Sequence, residues 1–491
     1  MTAPHGAASP RATESGVRLL GGEDPLARLF LLAALGIGLG HFFRLGAWSL
    51  WLDEALTLAD SRRPWQQANP LGYALMGAFL GLFEGRPDEF LLRLPSAALG
   101  WLGIPLTWWA FRPVAGRRVA AAAALIVACS AWHLHWSQQA RFYTLAQDLS
   151  LVGAGLYLRG LRGSTGSLLA GLGLAALAAL AHPSAAFLAG SLLVAPWILR
   201  GLGFPLPGLE GRGWKLLLVA GILGAAGGLG WAVDVWRKWD AVKGEGTPVH
   251  FVLTTGFYVT PLLWTGVLAG AVLAVLRRAT FPALALAVAA LDVGGLFATS
   301  IFARANAQYV FVALPWLAWV AATPLDPLGS AGGWGRTTEV ARLGSRLKLA
   351  YLALLALPAL ASCVLYLGPR QGERPRWKDA YRHVYGRLER GDLILGMEAV
   401  VGEYYLAPGR RDLRDLRQLV WLDSWRSDRP GAWARHARRT WLVVNHEQLQ
   451  DWEADEREEL QEILRRDCRV VAYFPVRVES RDLDVWVYLR E

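Results

Sequence analysis

Two adjacent carboxylates, Asp53 and Glu54, follow the first long apolar run of the sequence, in the segment Trp51-Leu52-Asp53-Glu54. A carboxylate pair beside a membrane face can act as a general base or hold a divalent cation. We predict no cofactor beyond such a cation, whose requirement stays open. Its ligands, if it is needed, would be Asp53 and Glu54.

An arginine and several polar residues stand at the ends of later apolar runs. Arg141 and Tyr143 follow the run that ends near residue 136. An arginine at this depth can clamp a phosphate with two parallel hydrogen bonds, as the head group of a lipid phosphate would require. Ionisable residues near membrane depth are costly, so several on one face indicate a site. The other polar residues at these ends are Asn69, Gln138, His182, Arg304 and Tyr309.

The composition indicates what kind of protein positions these residues. The chain of 491 residues is 54% apolar and 18% charged, with a net charge of +10. Globular proteins are about one quarter charged, so a disordered chain is excluded and a purely soluble one is disfavoured. Residues 1–368 carry the whole positive excess, whereas residues 369–491 hold 23 basic and 23 acidic residues. The second part therefore has no net charge to support nucleic-acid binding, and we expect no such partner.

Apolar runs of membrane length recur up to residue 368. Because about 20 apolar residues cross the hydrocarbon core, they predict a polytopic α-helical membrane domain in contact with lipid, with about 11 to 13 spans. The runs lie at 26–43, 91–111, 119–136, 142–158, 166–181, 183–199, 216–233, 257–276, 280–302, 306–323 and 349–367.

The distribution of charge predicts the orientation. Residues 70–84 are apolar but only about 15 long, which is short for a span. If residues 70–84 dip into the membrane without crossing it, the segments on the cytoplasmic side hold 17 basic and 6 acidic residues. The rest of residues 1–368 then holds 10 basic and 11 acidic residues. This is a positive-inside pattern, which a full crossing of 70–84, the alternative, would destroy. We predict a cytoplasmic tail (1–25), a membrane domain (26–368) with an external loop (44–90), and an external soluble domain (369–491).

The pattern of residues 369–491 predicts a small α/β domain. Residues 374–390 have helical spacing, and residues 449–466 form a second, charged helix. Helices that alternate with strands predict an α/β arrangement. The predicted strands lie at 392–400, 440–446, 469–478 and 483–490.

Several short segments between residues 49 and 190 carry a family resemblance. They are similar, in the same order, to motifs of the family 39-type GT-C glycosyltransferases, which include protein O-mannosyltransferases and lipid A aminoarabinose transferases. Each motif is weak alone, and the ordered set is specific. The family's Asp-Glu loop is similar to SLWLDEALTLAD (49–60), and its Pro-Pro-Leu-Tyr stretch is similar to NPLGYALM (69–76). The start of its Arg-Leu-Pro-Ser span resembles FLLRLPSAALGWLGIPL (90–106), and its Ser-Gln-Glu-Ala-Arg-Met-Tyr-Ser-Leu segment resembles WSQQARFYTLAQDLSL (136–151). Its His-Tyr pair matches AHPSAAF (181–187) less well.

The resemblance implies a function. It implies inverting transfer of a hexosyl or pentosyl group from a polyprenyl-phosphate donor, at the external face of the bacterial inner (plasma) membrane. Asp53 would then be the base that activates the acceptor, or its electrostatic partner, and Glu54 would assist it. Arg141 would hold the donor phosphate, with Tyr143 beside it. A protein, a glycan or a lipid stays open as the acceptor.

The sequence also departs from the family pattern. Asn69 stands where the family often has the first proline, and Gln139 where it often has glutamate. Gln308-Tyr309 occupies the place of a frequent Arg-Tyr pair. We predict that Arg304 replaces the missing arginine, since positions 304 and 308 share a face if both lie on one helix.

Two other functions compete with this prediction. A transporter or flippase of lipid-linked saccharides would show inverted repeats and interrupted helices at the midplane. No repeat is visible, and the charged groups gather at one face. The third candidate is a catalytically silent scaffold whose external domain binds a partner.

Overall fold

The chain forms a helical membrane domain followed by a small domain with a mixed β-sheet. Most of the predicted cytoplasmic tail lies outside the described residues. The computed structural model describes residues 24–84, 87–206, 208–209, 211–243, 245–326, 338–389, 391–405, 419–422, 439–450, 452–478 and 481–491.

Helices lie at all eleven of the predicted apolar runs. The helices of the membrane domain are α1 (Pro25–Gly38), α2 (Leu52–Asp60), α3 (Pro70–Leu80), α4 (Glu89–Ala115), α5 (Arg117–Cys129), α6 (Ala131–Ser137), α7 (Tyr143–Gly160), α8 (Thr165–Ala181), α9 (Ala185–Gly201), α10 (Arg212–Lys243), α11 (Pro248–Val259), α12 (Pro261–Leu276), α13 (Thr280–Phe302), α14 (Leu314–Ala322) and α15 (Thr338–Leu367). Short 3₁₀ turns follow α1 at Leu39–Phe42 and precede α14 at Ala307–Ala313.

Not every one of these helices crosses a membrane by itself. Within the described ranges, six are long and apolar enough to do so, and two bent pairs bring the number to eight. Helices α8 and α9 have 17 residues each, and α3 has 11. At 1.5 Å per residue, α3 is roughly 16 Å long, about half the thickness of the hydrocarbon core. The count of 11 to 13 spans and the dipping path of residues 70–84 stay predictions.

Two of the predicted runs are broken rather than straight. The run 119–136 bends by 66° between α5 and α6, at Ser130. The run 257–276 is divided at Thr260, where α11 and α12 meet at 87°. Thr260 has a φ of +70°, a conformation uncommon for a β-branched residue, and its hydroxyl accepts a hydrogen bond from the N–H of Leu263. The run 257–276 is therefore not one continuous helix, since it contains the end of α11 and the whole of α12.

Helices α5 and α14 form the centre of the membrane domain. Every residue of α5 from Val119 to Cys129 is buried, and every residue of α14 is buried too. Five consecutive alanines, Ala120–Ala124, let α1, α4 and α14 approach the α5 backbone closely. By contrast, α10 lies at the periphery and exposes most of its apolar side chains.

The soluble domain has a five-stranded sheet with the order β2-β1-β3-β7-β4. Strands β2, β1 and β3 are parallel, whereas β7 pairs antiparallel with both β3 and β4. The strands are β1 (Leu393–Gly396), β2 (Leu419–Trp421), β3 (Thr440–Asn445), β4 (Arg469–Phe474), β5 (Arg477–Val478), β6 (Arg481–Asp482) and β7 (Val485–Arg490), and the helices are α16 (Trp377–Tyr385), α17 (Ala399–Tyr405), α18 (His446–Leu449) and α19 (Ala454–Arg466).

These elements confirm a small α/β domain but correct its details. The predicted strand at 392–400 ends at Gly396, and residues 399–405 are helical instead. Residues 469–478 form two strands, β4 and β5, rather than one. The short strand β2 has no counterpart among the predicted elements.

The soluble domain packs directly on the segment that carries the predicted site. One apolar cluster joins Leu50, Ala55 and Tyr73 of the membrane domain to Trp377 and Tyr381 of the soluble domain. Burial of these large side chains makes the two domains one continuous structure at this face. We call this end of the membrane domain the site face.

Candidate active site

Helix α2 carries both of the predicted catalytic carboxylates in its first turn. Asp53, Thr57 and Asp60 lie four and three residues apart, so they share one face of the helix. Glu54 lies about 100° further around the helix and is buried against the protein. The two neighbouring carboxylates therefore face different surroundings.

Glu54 is completely buried and accepts hydrogen bonds on both carboxylate oxygens. Arg93 donates from Nε to Oε1 at 2.8 Å and from Nη2 to Oε2 at 2.9 Å. Arg374 of the soluble domain donates to Oε2 as well. The backbone N–H groups of Ala140 and Trp51 each donate at 2.9 Å. A buried carboxylate needs such partners, because removing one leaves an uncompensated charge.

The two arginines keep Glu54 ionised. Burial by itself raises the pKa of Glu54, but the charges of Arg374 and Arg93 outweigh it and lower the pKa to about 2. A group that is ionised at every physiological pH, with both oxygens engaged, is a poor general base near neutrality. The surroundings of Glu54 thus favour a holding role over proton transfer.

Asp53 and Arg141 lie side by side on the accessible face of α2. The Asp53 side chain is 43% exposed, and its Oδ2 lies 3.8 Å from Nη2 of Arg141. Arg141 also donates from Nη1 to the Thr57 hydroxyl at 3.1 Å and to the Asp53 carbonyl oxygen at 3.3 Å. The Arg141 side chain is 14% exposed, and its Nε is a buried donor with no hydrogen-bond partner. An accessible carboxylate thus stands next to a fixed cation.

A second carboxylate, Asp60, extends this face of α2. Tyr73 hydrogen-bonds with Asp60 and with Arg141, which links α3 to the same cluster. Burial raises the pKa of Asp60, against the opposing effects of the Tyr73 hydroxyl and the charge of Arg141. Arg141 therefore has two carboxylates beside it, those of Asp53 and Asp60, whereas the sequence predicted the pair Asp53 and Glu54.

Three of the predicted residues form an aromatic layer next to Arg141. The rings of Tyr143 and His182 are 4.5 Å apart, and those of His182 and Tyr309 are 5.5 Å apart. The ring centroids of Tyr143 and Trp136 are 4.4 Å apart, and Tyr143 also hydrogen-bonds with Gln308. The structure thus brings together residues from α7, from the turn before α9 and from the 3₁₀ turn before α14.

Gln138 and Asn69 are buried within the framework of the site. The Gln138 amide donates to the carbonyl oxygens of Phe43 at 2.8 Å and His41 at 3.2 Å, and its oxygen accepts from Trp48 Nε1 at 3.3 Å. These bonds fix the chain between α1 and α2. Asn69 lies just before α3, at its N-cap position.

Arg304 lies in a different setting from the one predicted. It is exposed and follows the end of α13, in a non-helical stretch before the 3₁₀ turn at Ala307–Ala313. The chain leaves the helix at Ala303, so residues 304 and 308 do not lie on one helix. Residues 304 and 308 therefore do not share a helix face as predicted, and donor binding by Arg304 stays a prediction without that support.

Five further residues belong to the cluster: Thr57, Asp60, Tyr73, Arg93 and Arg374. Thr57 and Asp60 carry a signal in the sequence, because their spacing from Asp53 places all three on one helix face. Arg93 lies in the Arg-Leu-Pro-Ser segment but was assigned no role there. Arg374 lies more than 300 residues from Glu54, and no local pattern connects the two.

The residues present do not fit a metal held by the Asp53–Glu54 pair. Both oxygens of Glu54 accept from arginines, and the two carboxylates point to different sides of α2. Among the residues that the structure describes, no three His, Cys, Asp or Glu side chains come together as metal ligands.

Comparison with known proteins finds similarity in structure alone. No protein-family model matches the sequence, and no curated protein matches it significantly. The structure is similar to ArnT from Cupriavidus metallidurans bound to undecaprenyl phosphate, with a TM-score of 0.52 and 16% identity. That match covers 94% of this chain and 97% of ArnT.

A second similarity is to the Archaeoglobus fulgidus oligosaccharyltransferase in its apo form. Its TM-score is 0.53 at 12% identity, over 86% of this chain and 70% of that one. Both matches run through the membrane domain into the soluble domain, and both proteins are of the GT-C type. The chain therefore has the GT-C fold that its ordered sequence motifs predicted.

Proposed function

We propose that this chain is an inverting glycosyltransferase that moves a sugar from a polyprenyl-phosphate donor to an acceptor. The site face is the external face of the bacterial inner membrane in this proposal. The observation that carries it is the pair formed by Asp53 of α2 and Arg141, in which the half-exposed Asp53 carboxylate lies 3.8 Å from the fixed cation of Arg141. The similarity to ArnT, whose structure holds undecaprenyl phosphate, supports the class of donor.

In the proposed reaction, Asp53 removes the proton from the attacking acceptor group. The acceptor atom forms its bond to the anomeric carbon on the side opposite the phosphate, so the configuration inverts. The bond between the anomeric carbon and the phosphate oxygen breaks, and polyprenyl phosphate leaves with its new charge. A positioned guanidinium such as Arg141 stabilises charge that develops on the leaving phosphate.

The surroundings of the pair support this division of roles. Arg141 is held on α2 by the Thr57 hydroxyl and the Asp53 carbonyl oxygen, so it is oriented before any ligand arrives. Its buried, unpaired Nε is a further donor at the same place. Tyr143, His182 and Tyr309 form an adjoining wall that can pack against the sugar.

The test is release of polyprenyl phosphate. The protein is incubated with a panel of undecaprenyl-phosphate-linked sugars, in membranes of its own source as the supply of acceptors. We expect the wild type to release undecaprenyl phosphate, and Asp53→Asn to lower that rate by about 10²-fold or more, the range for loss of a general base. Arg141→Ala should weaken binding of undecaprenyl phosphate itself.

Glu462→Gln, an exposed carboxylate on α19, is the matched control and should behave as the wild type. Full activity of Asp53→Asn would show that Asp53 is not the base. Movement of intact lipid-linked sugar across the membrane without any release of polyprenyl phosphate would instead support a transporter.

A further inference from the structure

Arg374 is a residue of the soluble domain whose side chain enters the site face of the membrane domain. It follows the end of α15 by seven residues and precedes α16. Its side chain is 1% exposed. The guanidinium donates to the Glu54 carboxylate, to the carbonyl oxygen of Ser49 at 3.2 Å and to that of Gln138 at 2.9 Å.

Arg374 completes a cluster that Arg93 of α4 begins. Arg93 donates to both Glu54 oxygens and to the carbonyl oxygens of Leu45 at 2.9 Å and Ser49 at 2.8 Å. The Glu54 carboxylate thus lies between one guanidinium from each domain, and carbonyl oxygens of the loop before α2 accept further hydrogen bonds from both guanidinium groups. Because Glu54 is covalently next to Asp53, this cluster determines where α2 begins and which way Asp53 points.

Other contacts of the soluble domain reach the same loop. The backbone N–H of Leu50 donates to the Tyr405 hydroxyl at 2.7 Å. The backbone N–H of Lys378 donates to the Ser49 hydroxyl at 3.0 Å, and its ammonium lies 2.7 Å from Glu89 at the start of α4. Arg374, Lys378 and Tyr405 of the soluble domain therefore hold the two residues that precede Trp51.

We propose that Arg374 is a positioning residue for the transferase site, and that the site is complete only when the soluble domain is docked on residues 48–54. Arg374 contacts the Glu54 carboxylate and two backbone carbonyl oxygens, so it acts through Glu54 on the orientation of Asp53. This inference rests on the proposed function, and it gives the soluble domain a role in that function.

A positioning role makes a prediction that a purely stabilising role does not. Arg374→Lys keeps the positive charge but loses the planar guanidinium group, whose several N–H donors bind Glu54 and two carbonyl oxygens at once. We expect the kcat for release of undecaprenyl phosphate to fall at least tenfold, with the dissociation constant for undecaprenyl phosphate unchanged within twofold. In the Asp53→Asn background the same substitution should cause no further loss, because the group it positions is already absent.

Hydrogen exchange gives a readout that needs no activity. Peptides that cover residues 48–60 should exchange faster in Arg374→Lys, while peptides from α5 stay as in the wild type. Arg376→Lys is the matched control, since Arg376 lies two residues away, is partly exposed and pairs with Asp379. It should leave both kcat and exchange unchanged.

Each outcome decides the inference. A folded Arg374→Lys protein with the wild-type kcat would overturn the inference. An equal loss of kcat from Arg374→Lys in the wild type and in the Asp53→Asn background would overturn it too. If Arg374→Lys does not fold, Tyr405→Phe replaces it; that variant removes one hydrogen bond to Leu50, and an unchanged kcat would overturn the inference. A wild type that releases no polyprenyl phosphate contradicts the proposed function instead, and exchange over residues 48–60 then tests the docking alone.

Discussion

Asp53 and Glu54 are neighbours in the chain, yet their carboxylates lie in opposite surroundings. Asp53 is 43% exposed beside Arg141, and Glu54 is fully buried between two arginines. A helix turns by about 100° per residue, so consecutive side chains face different directions. One carboxylate is thus accessible beside a cation, while the other is held inside the protein.

The pH dependence of stability tests the burial of Glu54. Its pKa is lowered from 4.5 to about 2, which corresponds to a stabilisation on the order of 3 kcal/mol. Because the folded-state pKa is the lower one, this contribution is complete above about pH 4.5 and is lost as the pH falls towards 2. Thermal unfolding in detergent between pH 3 and 7 should show this loss.

Glu54→Gln is the comparison for that measurement. At pH 7 it should be less stable by about 3–5 kcal/mol, because two buried guanidinium groups lose their anion. The difference from the wild type should shrink as the pH falls below about 4.5. Parallel curves for the two proteins over the whole range would contradict the role given to the Glu54 charge.

Asp60 allows a separate prediction about the α2 face. Asp60→Asn keeps the shape of the side chain but weakens the hydrogen bond from Tyr73 and removes a negative charge near Arg141. We expect transfer to fall by about tenfold, equivalent to about 1.4 kcal/mol for one hydrogen bond. That loss is much smaller than the one expected for Asp53→Asn. If Asp60→Asn is the more damaging variant in the same release assay, Asp60 rather than Asp53 is the base.

At the scale of elements, glycine contacts determine how closely α7 and α8 approach. A Cβ at Gly171 would overlap the backbone of Tyr157 and would lie 2.7 Å from the carbonyl oxygen of Gly153. At Gly153, a Cβ would lie 2.9 Å from the nitrogen of Ala175. Backbone atoms cannot move aside as a flexible side chain can. The position of Tyr143, at the start of α7, depends on this contact.

Paired alanine substitutions on α8 test that packing. Gly171→Ala should destabilise the protein by about 1–3 kcal/mol, the usual cost of overpacking, and should lower transfer. Gly173→Ala is the control two residues away, since a Cβ there meets nothing within 4 Å. It should be neutral or stabilising by up to about 1 kcal/mol. Equal unfolding temperatures for the two variants would contradict the close contact.

At the scale of the whole molecule, arginines and tryptophans lie together at the end of the membrane domain opposite the site face. Arg112 lies over Trp108 at 4.3 Å, Arg159 over Trp109 at 4.1 Å and Arg200 over Trp214 at 4.7 Å. Tryptophan is enriched at both membrane interfaces, whereas the excess of arginine predicts that this end is the cytoplasmic one.

Labelling of single cysteines tests the resulting orientation. In a background without native cysteines, Glu458→Cys places an exposed thiol on α19, and Gly166→Cys places one at the start of α8. An impermeant thiol reagent added to intact spheroplasts should label Glu458→Cys and leave Gly166→Cys unlabelled until the membrane is opened. The reverse result would place the site face in the cytoplasm.

Several features of the molecule follow from the sequence by itself. Apolar runs of about 20 residues locate helices, because a chain that crosses lipid must satisfy its backbone polar groups through the internal hydrogen bonds of a helix. The ordered motifs around Asp53 and Arg141 predict the GT-C fold, which the structural similarities confirm. Tyr143, His182 and Tyr309, predicted as members of one site, do lie together.

Only the tertiary structure decides which polar groups act as partners. Glu54 and Arg374 are 320 residues apart, and their pairing depends on how the soluble domain packs onto the membrane domain. The 87° bend at Thr260 and the non-helical setting of Arg304 do not follow from hydropathy, because hydrophobicity reports burial and not the direction of the backbone. Pro261 is a local signal for a break at Thr260 but not for its angle. Local patterns determine which residues are apolar or helical, whereas the partners of Asp53 and Glu54 come from distant segments of the chain.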